Sequence, residues 1–262
     1  MACWEERAVA EALLEIERLS KHFGGVVASD AISLALGPGE LHAIIGPNGA
    51  GKTTLIGQLT GEIAPDGGRI RFGSRDITAL PVYRRSRIGL ARSFQISSLF
   101  PEFTALDNVA LAVQAHSGHS FRFWRDARRE QALREPARRA LDRVALAGRA
   151  DTRVADLSHG ERRQLEIAMA LATRPRLLLL DEPMAGMGPE ESLRLVDTLR
   201  QLKGGVTILL VEHDMDAVFA LADRISVLVY GRIIASGDPA AIRADARVRE
   251  AYLGERDEAA HG

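Results

Sequence analysis

Short apolar runs alternate with segments of helical spacing along most of the chain. The runs Leu41–Ile45, Leu177–Leu180, Val206–Val211 and Ile225–Tyr230 have the length of buried strands. Pro189–Lys203, which lies between two of them, predicts a helix because its apolar residues share one stripe and two glycines follow its end. This alternation is typical of an α/β fold with a parallel sheet.

A different pattern occurs near the amino terminus. Residues 13–36 and 69–77 contain brief alternating stretches separated by glycine-rich turns, which predicts antiparallel strands in a small β layer beside the core. We expect a single domain over residues 12–256. The polar residues 257–262 are expected to form a disordered tail.

Residues 104–150 have helical spacing and predict a helical subdomain, at about 100–165, inserted into the core. Pro136 is expected to start a new helix or to kink an old one. This region is also rich in arginine: Arg122, Arg125, Arg128, Arg129, Arg134, Arg138, Arg139 and Arg143. The arginines fit a solvated helix face with local ion pairs, or a surface that contacts acidic lipid or a partner.

A glycine-rich loop follows the first buried strand and has the spacing G-x-x-x-x-G-K-[ST]. Its glycines let successive N–H groups point at phosphate oxygens, and a helix beginning near Lys52 adds its positive end. We expect Lys52 to reach the β and γ phosphates and Thr53 to bind Mg²⁺ through its hydroxyl. The sequence therefore predicts a nucleoside triphosphate site formed by Gly46, Pro47, Asn48, Gly49, Ala50, Gly51, Lys52, Thr53 and Thr54.

Two further apolar runs end in polar residues. Asp181 and Glu182 follow Leu177–Leu180, and His213 follows Val206–Val211. Ligands of α/β proteins bind where the carboxyl ends of parallel strands meet. We expect Asp181 to hold Mg²⁺ through water, Glu182 to polarise the attacking water, and His213 to donate to the γ phosphate.

Composition limits the class of protein further. The 262 residues are 46% hydrophobic and carry a formal charge of −1, so a globular core is expected and a nucleic-acid partner is not. Cys3 is the single cysteine, which excludes an internal disulfide and a cysteine metal cluster. Without an apolar run of membrane-spanning length or a secretory signal layout at Met1–Arg7, the expected protein is soluble and cytoplasmic.

With these residues in place, the chain resembles the ATP-binding cassette (ABC) ATPases that drive membrane transporters. The deciding motif is Leu157-Ser158-His159-Gly160-Glu161, which is similar to the family signature Leu-Ser-Gly-Gly-Gln. The resemblance implies that Ser158 and Gly160 bind the γ phosphate of ATP held by a second ATPase subunit. Ser158 and Glu161 also have the spacing of a capping box that starts a helix, and both interpretations hold together.

The resemblance assigns further residues one at a time. Phe23 lies where an aromatic side chain stacks on adenine, although a core or hairpin aromatic is an equal alternative. Gln95 matches the glutamine that reaches Mg²⁺ and the attacking water. His159, Glu161 and Gly188 depart from the family pattern, so the geometry of the half-site is an open question.

Particular stretches resemble the ATPases of branched-chain amino acid importers, among them Phe23-Gly24-Gly25 and Glu250-Ala251-Tyr252-Leu253-Gly254. The resemblance implies transmembrane permease subunits and a second ATPase as partners, an external solute-binding protein that acts indirectly, and a peripheral location at the cytoplasmic face of the membrane. Importers of urea or short amides and the ATPases of lipopolysaccharide export share much of the pattern. A non-transport ABC ATPase is a more distant alternative, because those usually carry two cassettes or large insertions.

Overall fold

The computed structural model describes residues 12–92, 99–117 and 130–251. Within these ranges the chain forms a six-stranded sheet, a four-stranded antiparallel sheet and the helices around them. The predicted α/β class with a separate antiparallel layer is therefore confirmed.

The four strands of the core predicted from apolar runs are all present, with bounds that differ by one residue or none at each end. The ten strands are β1 Leu14–Phe23, β2 Val26–Leu36, β3 Leu41–Ile45, β4 Gly67–Phe72, β5 Arg75–Asp76, β6 Leu90–Arg92, β7 Leu177–Asp181, β8 Thr207–Val211, β9 Arg224–Val229 and β10 Arg232–Gly237. The helices are α1 Lys52–Thr60, α2 Val82–Arg87, α3 Ala105–Ser117, α4 Gln131–Asp142, α5 His159–Ala172, α6 Pro189–Leu202, α7 Met215–Leu221 and α8 Pro239–Ala244. Short 3₁₀ helices lie at Ala147–Arg149 and Val154–Asp156.

The six-stranded sheet has the order β10-β9-β3-β8-β7-β6. Its strands are parallel except β10, which pairs antiparallel with β9. Because parallel strands end at the same edge of a sheet, Ile45, Arg92, Asp181 and Val211 come to one side of the molecule. The loops that follow them build the candidate site.

Both faces of this sheet are covered, which explains why its central strands are apolar without alternation. Every residue of β3, β7 and β8 is buried. Leu178 and Leu180 pack in a core with the helices that follow β6, whereas Leu177 and Leu179 pack in a second core with α1 and the antiparallel sheet. The strand ends are held rigidly by this two-sided packing.

The antiparallel sheet has the order β2-β1-β4-β5 and is attached to the parallel sheet next to the glycine-rich loop. Arg232 Nε lies 2.6 Å from Asp30 Oδ2, and the Asp30 N–H donates to the carbonyl of Gly231 at 2.9 Å. These contacts join β2 to the turn before β10, so the β1–β2 hairpin is fixed beside the loop.

Helices α3, α4 and α5 lie between β6 and β7, where the inserted helical region was expected. Pro136 does not start a helix: it lies inside α4, which begins at Gln131. The buried face of α4, with Leu133 and Ala137 in the core, holds the helix across the proline. Arg139 pairs with Glu135 one helical turn away, as expected for a local ion pair, whereas Arg134 pairs at 3.0 Å with Asp107 of the neighbouring helix α3.

Several predictions concern residues outside the described ranges. These are Gln95, the 257–262 tail, and the arginines Arg122, Arg125, Arg128 and Arg129. In the part of the chain that the structure describes, no helix is both long and apolar enough to span a membrane.

Candidate functional site

The glycine-rich loop has a backbone that side chains would not permit. Gly51 has φ of 103°, and a Cβ added to it would lie 2.2 Å from the carbonyl oxygen of Ala28. A Cβ on Gly46 would lie 2.0 Å from the Leu228 carbonyl oxygen. The glycines therefore allow the loop to pass between β2 and β9 at van der Waals contact.

Helix α1 begins at Lys52, directly after this loop, with Gly51 as its N-cap. Among the described residues, no side chain caps this helix start, and its first turn contains no acidic residue. The first N–H groups of a helix have no intrahelical acceptor, so this end offers donors and a positive dipole to an anion. Thr53 is exposed and Thr54 is half-buried in the same turn.

Lys52 is turned into its own loop. Its side chain is 7% exposed, and Nζ donates to the carbonyl oxygens of Gly46 at 2.6 Å and Pro47 at 2.9 Å. The ammonium is thus held against the backbone of the loop that the sequence predicts to surround phosphates. The two hydrogen bonds from Lys52 therefore stabilise the shape of the loop.

Asp181 ends β7 as a buried carboxylate that is 2% exposed. Arg92, at the end of β6, lies 3.1 Å from its Oδ2, and its other terminal nitrogen lies 2.6 Å from Glu62 Oε2. Burial raises the pKa of Asp181, and the Arg92 cation opposes that rise. A buried carboxylate that can bind positive charge therefore lies at the end of β7, where the sequence predicts the Mg²⁺ residue.

These residues fit a magnesium ion bound together with a nucleotide. Within the described ranges, no group of three or more acidic, histidine or cysteine side chains could hold a metal alone. Mg²⁺ in nucleotide sites usually takes one or two protein oxygens, and phosphates and water complete its octahedron. The Asp181 carboxylate, which already attracts a cation, and the exposed Thr53 hydroxyl are suitable donors.

Glu182 has an unusual backbone conformation that its neighbours enforce. Its φ is +46°, a left-handed value that costs energy for a residue with a side chain. The guanidinium of Arg163, from α5, donates to the carbonyl oxygens of Asp181 and Glu182, both at 3.0 Å, and of Pro183 at 3.2 Å. Strain fixed in this way is common at catalytic positions, which agrees with the role predicted for Glu182.

His213 follows β8, next to the end of β7, with a side chain that is 61% exposed. The preceding residue, Glu212, is fully buried and anchors both loops: Oε1 accepts from the Met184 N–H at 2.8 Å, and Oε2 accepts from the His213 N–H at 2.9 Å. His213 Nδ1 lies 3.6 Å from the same oxygen. The exposed imidazole at this edge is accessible to a ligand.

The signature segment forms the start of α5. Ser158 is the N-cap, its Oγ accepts from the Glu161 N–H at 3.2 Å, and Glu161 Oε2 accepts from the Ser158 N–H at 2.9 Å, so the predicted capping box is present. Arg149 Nε donates to Glu161 Oε1 at 2.7 Å and lowers the pKa of that carboxyl. Gly160 is buried, and its N–H points at Glu191.

Phe23 ends β1 at the tip of the β1–β2 hairpin and is 49% exposed. Lys21 Nζ lies 5.4 Å from the centre of its ring. The position is that of a hairpin aromatic rather than a core one, and its free surface is available for stacking. Gln95 lies outside the described residues, three positions after β6 ends at Arg92.

The three departures from the family pattern have different structural settings. His159 is exposed, and a Cβ on Gly186 would lie 3.7 Å from its Cε1. Glu161 completes the capping box. Gly188 is the N-cap of α6 and lacks a capping side chain, in contrast to aspartate or asparagine at this place.

Four residues that organise the site were not predicted from the sequence: Arg92, Arg163, Glu191 and Glu212. Glu212 could have been recognised from the sequence, because it is a charged residue at the boundary between a buried strand and a polar turn. The other three residues contact partners on elements that are distant in the sequence. The sequence pattern around each residue therefore did not indicate its partner.

The chain matches two families of known proteins. Residues 29–185 match the family described as ABC transporter, and residues 232–258 match the family described as branched-chain amino acid ATP-binding cassette transporter. The chain belongs to the ABC transporter family and is an ATPase of that family.

Individual relatives cover nearly the whole chain. The high-affinity branched-chain amino acid transport ATP-binding protein BraF of Pseudomonas aeruginosa is 39% identical, over 94% of this chain and all of that protein. The lipopolysaccharide export system ATP-binding protein LptB of Acidithiobacillus ferridurans is 37% identical, over 93% of this chain and 98% of that protein. The ADP conformation of MJ1267, an ATP-binding cassette of an ABC transporter, has 32% identity and a TM-score of 0.82, over 93% of this chain and 99% of that one.

Proposed function

We propose that this chain is the ATP-hydrolysing subunit of an ABC importer for branched-chain or other hydrophobic amino acids. The observation that carries the proposal is the match of residues 232–258 to the branched-chain cassette family, because these residues lie outside the range 29–185 that matches the general ABC transporter family. Relatives named for branched-chain amino acid transport, such as BraF, support the same substrate class.

ATP binding is assigned to the loop Gly46–Thr54 and the hairpin that carries Phe23. Backbone N–H groups and Lys52 neutralise the phosphates, and Phe23 stacks on the base. Mg²⁺, when bound, neutralises phosphate charge in this site, with Thr53, Asp181 and Gln95 as its protein neighbours. These assignments rest on the helix start at Lys52 and the buried carboxylate of Asp181.

Hydrolysis is assigned to Glu182 and His213, with Gln95 placing the water. Glu182 accepts a proton from the attacking water, and its strained backbone, held by Arg163, fixes its direction. His213 donates to the γ phosphate from the neighbouring loop. Positioning accounts for most of the catalysis that phosphoryl transfer requires from a protein.

A second ATPase subunit, identical or homologous, completes each site. Ser158 and Gly160 at the start of α5 offer a hydroxyl and an N–H to the γ phosphate bound by the partner. Two subunits close head to tail over two ATP molecules, and hydrolysis with product release lets them open. The closure drives the permease because the γ phosphate favours one of the two states.

The permease subunits have a suitable docking surface. A cavity of about 990 Å³ lies between α1, α2, α3 and α5, and its lining includes Tyr83, Arg92 and His116. Val82 and Tyr83 are adjacent residues of this lining, and both are exposed, so they offer an apolar patch to a partner. Attachment to the permeases places the chain at the cytoplasmic face of the membrane, with the external solute-binding protein acting indirectly.

A lipopolysaccharide-export type ATPase is the second candidate, since LptB is 37% identical to the chain. The nucleotide site would work in the same way in both, because it does not contact the solute. A urea or amide importer remains a further alternative on sequence grounds.

Uptake by cells of the source organism discriminates these functions. Replacement of the native protein by Lys52→Ala is expected to abolish high-affinity uptake of labelled leucine, isoleucine and valine, because ATP no longer drives the permease. Lysine uptake serves as the control and should not change. Normal leucine uptake together with lipopolysaccharide retained in the inner membrane would favour the second candidate.

A further inference from the structure

The signature segment already holds an anion in the single subunit. Glu191 Oε1 accepts a hydrogen bond from Ser158 Oγ at 3.2 Å and another from the Gly160 N–H at 3.2 Å. These are the same two donors that the proposed function assigns to the γ phosphate of the partner's ATP. A carboxylate oxygen of the chain itself therefore takes the place of a phosphate oxygen.

The local geometry is built for this contact. A Cβ added to Gly160 would lie 2.8 Å from both Cδ and Oε1 of Glu191, so only glycine lets the carboxylate approach the helix start. The Gly160 N–H is the main reason that the pKa of Glu191 is lowered, and the Gly188 N–H and Ser158 add to it. The ionised form is thus the one that is bound.

Donors other than Ser158 and Gly160 also lie close to the Glu191 carboxylate. It lies in the first turn of α6, whose N-terminus stabilises negative charge, and the N–H of the N-cap Gly188 contributes to its low pKa. A carboxylate released from Ser158 and Gly160 therefore stays near favourable donors.

We infer that Glu191 is an internal ligand of the signature site that competes with the partner's γ phosphate and so sets the ATP concentration at which two subunits close. A phosphate and a carboxylate repel each other and need the same donors, so both cannot occupy them. This inference rests on the proposed head-to-tail pairing. ATP must displace Glu191 before the half-site is complete.

The test uses full-length protein with Glu182→Gln, which is expected to retain ATP, as the parent. Adding Glu191→Gln is expected to lower the ATP concentration for half-maximal dimer formation about tenfold, the scale of one charge-assisted hydrogen bond. Sedimentation velocity across an ATP titration measures this concentration. ATP affinity at protein concentrations too low for dimers should not change, because Glu191 does not contact the glycine-rich loop in this arrangement.

The matched control is Glu190→Gln in the same parent. Glu190 precedes Glu191 in the same helical turn, is 87% exposed and pairs with Arg194, so the substitution removes the same charge without touching the signature. Equal shifts in both variants, or no shift for Glu191→Gln in a parent that dimerises, would overturn the inference and leave the proposed function intact. A parent that forms no dimer at any ATP concentration contradicts the head-to-tail pairing itself, and the inference falls with it.

Discussion

At the residue scale, Glu161 shows how a departure from a family motif is accommodated. A glutamate in this position completes the capping box with Ser158 and pairs with Arg149, which lies in a 3₁₀ helix twelve residues earlier. The hydrogen bond from Arg149 is the main cause of the lowered pKa of Glu161. The charge thus fastens the start of α5 to the preceding loop.

This contact predicts a pH-dependent contribution to stability. A carboxyl whose pKa is lower in the folded state stabilises the fold above its ordinary pKa of 4.5, and the contribution is lost as pH falls through the lowered value. At pH 7, Glu161→Gln is expected to reduce the free energy of unfolding by about 1 kcal/mol, and by progressively less below pH 4.5. Urea unfolding between pH 3 and pH 7 measures the difference.

Glu102→Gln is the control for this prediction. Its side chain is 78% exposed, so the same change of charge should have little effect at any pH. A difference between Glu161→Gln and the parent that stays constant as pH falls would contradict the assigned role of the charge.

Some contacts of individual residues could be predicted from the sequence, and others could not. The spacing of Ser158 and Glu161 predicted the capping box, because its partners are three positions apart on one backbone. The pairing with Arg149 was not predictable, since it depends on how the chain turns between α4 and α5. Glu191 was missed for the same reason, because its partners are more than thirty residues away.

At the element scale, α5 connects the two halves of the site. Its first turn contains the signature, and Arg163, on the second turn, holds the carbonyl groups of Asp181, Glu182 and Pro183. Arg163 also pairs with the buried Glu166 at 2.8 Å. The guanidinium presents its donors from three nitrogens in a fixed planar fork, whereas a lysine presents its donors from a single nitrogen and cannot reproduce this spread of contacts.

Arg163→Lys is therefore expected to lower the rate of ATP hydrolysis while leaving the stability of the fold nearly unchanged. The lysine keeps a positive charge beside Glu166, so the thermal midpoint should stay close to that of the parent. Because the backbone of Glu182 is less firmly held, kcat is expected to fall about tenfold while the ATP concentration at half-maximal rate changes little. Steady-state ATP hydrolysis measures both values. An unchanged kcat in the folded variant would exclude Arg163 as a positioning residue.

The elements themselves were largely predictable. Apolar runs of strand length and helical stripes gave β3, β7, β8, β9 and α6, because burial on both faces leaves few polar positions. The start of α4 was not predicted, since packing of its buried face outweighs the local effect of Pro136. The sequence pattern of a segment does not show how that segment packs against the rest of the fold.

At the scale of the whole molecule, the parallel sheet brings together residues that are far apart in sequence. The glycine-rich loop, Asp181, Glu182 and His213 all follow strand ends at one edge, while the signature lies at the start of α5 in the helical region. The order of the strands could not be deduced from the apolar runs alone. The motifs nevertheless predict a candidate site without knowledge of the strand order, because phosphate binding constrains local spacing more strongly than overall topology.

As a whole, the protein is proposed to be an ATPase whose sites are complete only when two subunits pair. Lys52 and Glu182 have separate tasks in it: Lys52 serves ATP binding, and Glu182 serves the chemical step. Variants of these two residues should therefore fail differently. Loss of Lys52 should prevent ATP-driven pairing, whereas loss of the Glu182 charge should leave ATP bound and dimers accumulating.

The most direct test of this claim is the rate of Mg²⁺-dependent ATP hydrolysis by the full-length protein, alone and with co-purified membrane partners. The parent should hydrolyse ATP, and Lys52→Ala and Glu182→Gln should each lose at least about a hundredfold in rate. Dimers in ATP should accumulate only with Glu182→Gln. A parent that binds ATP but neither dimerises nor hydrolyses it in either condition, or a Glu182→Gln variant with unchanged phosphate release, would contradict the account.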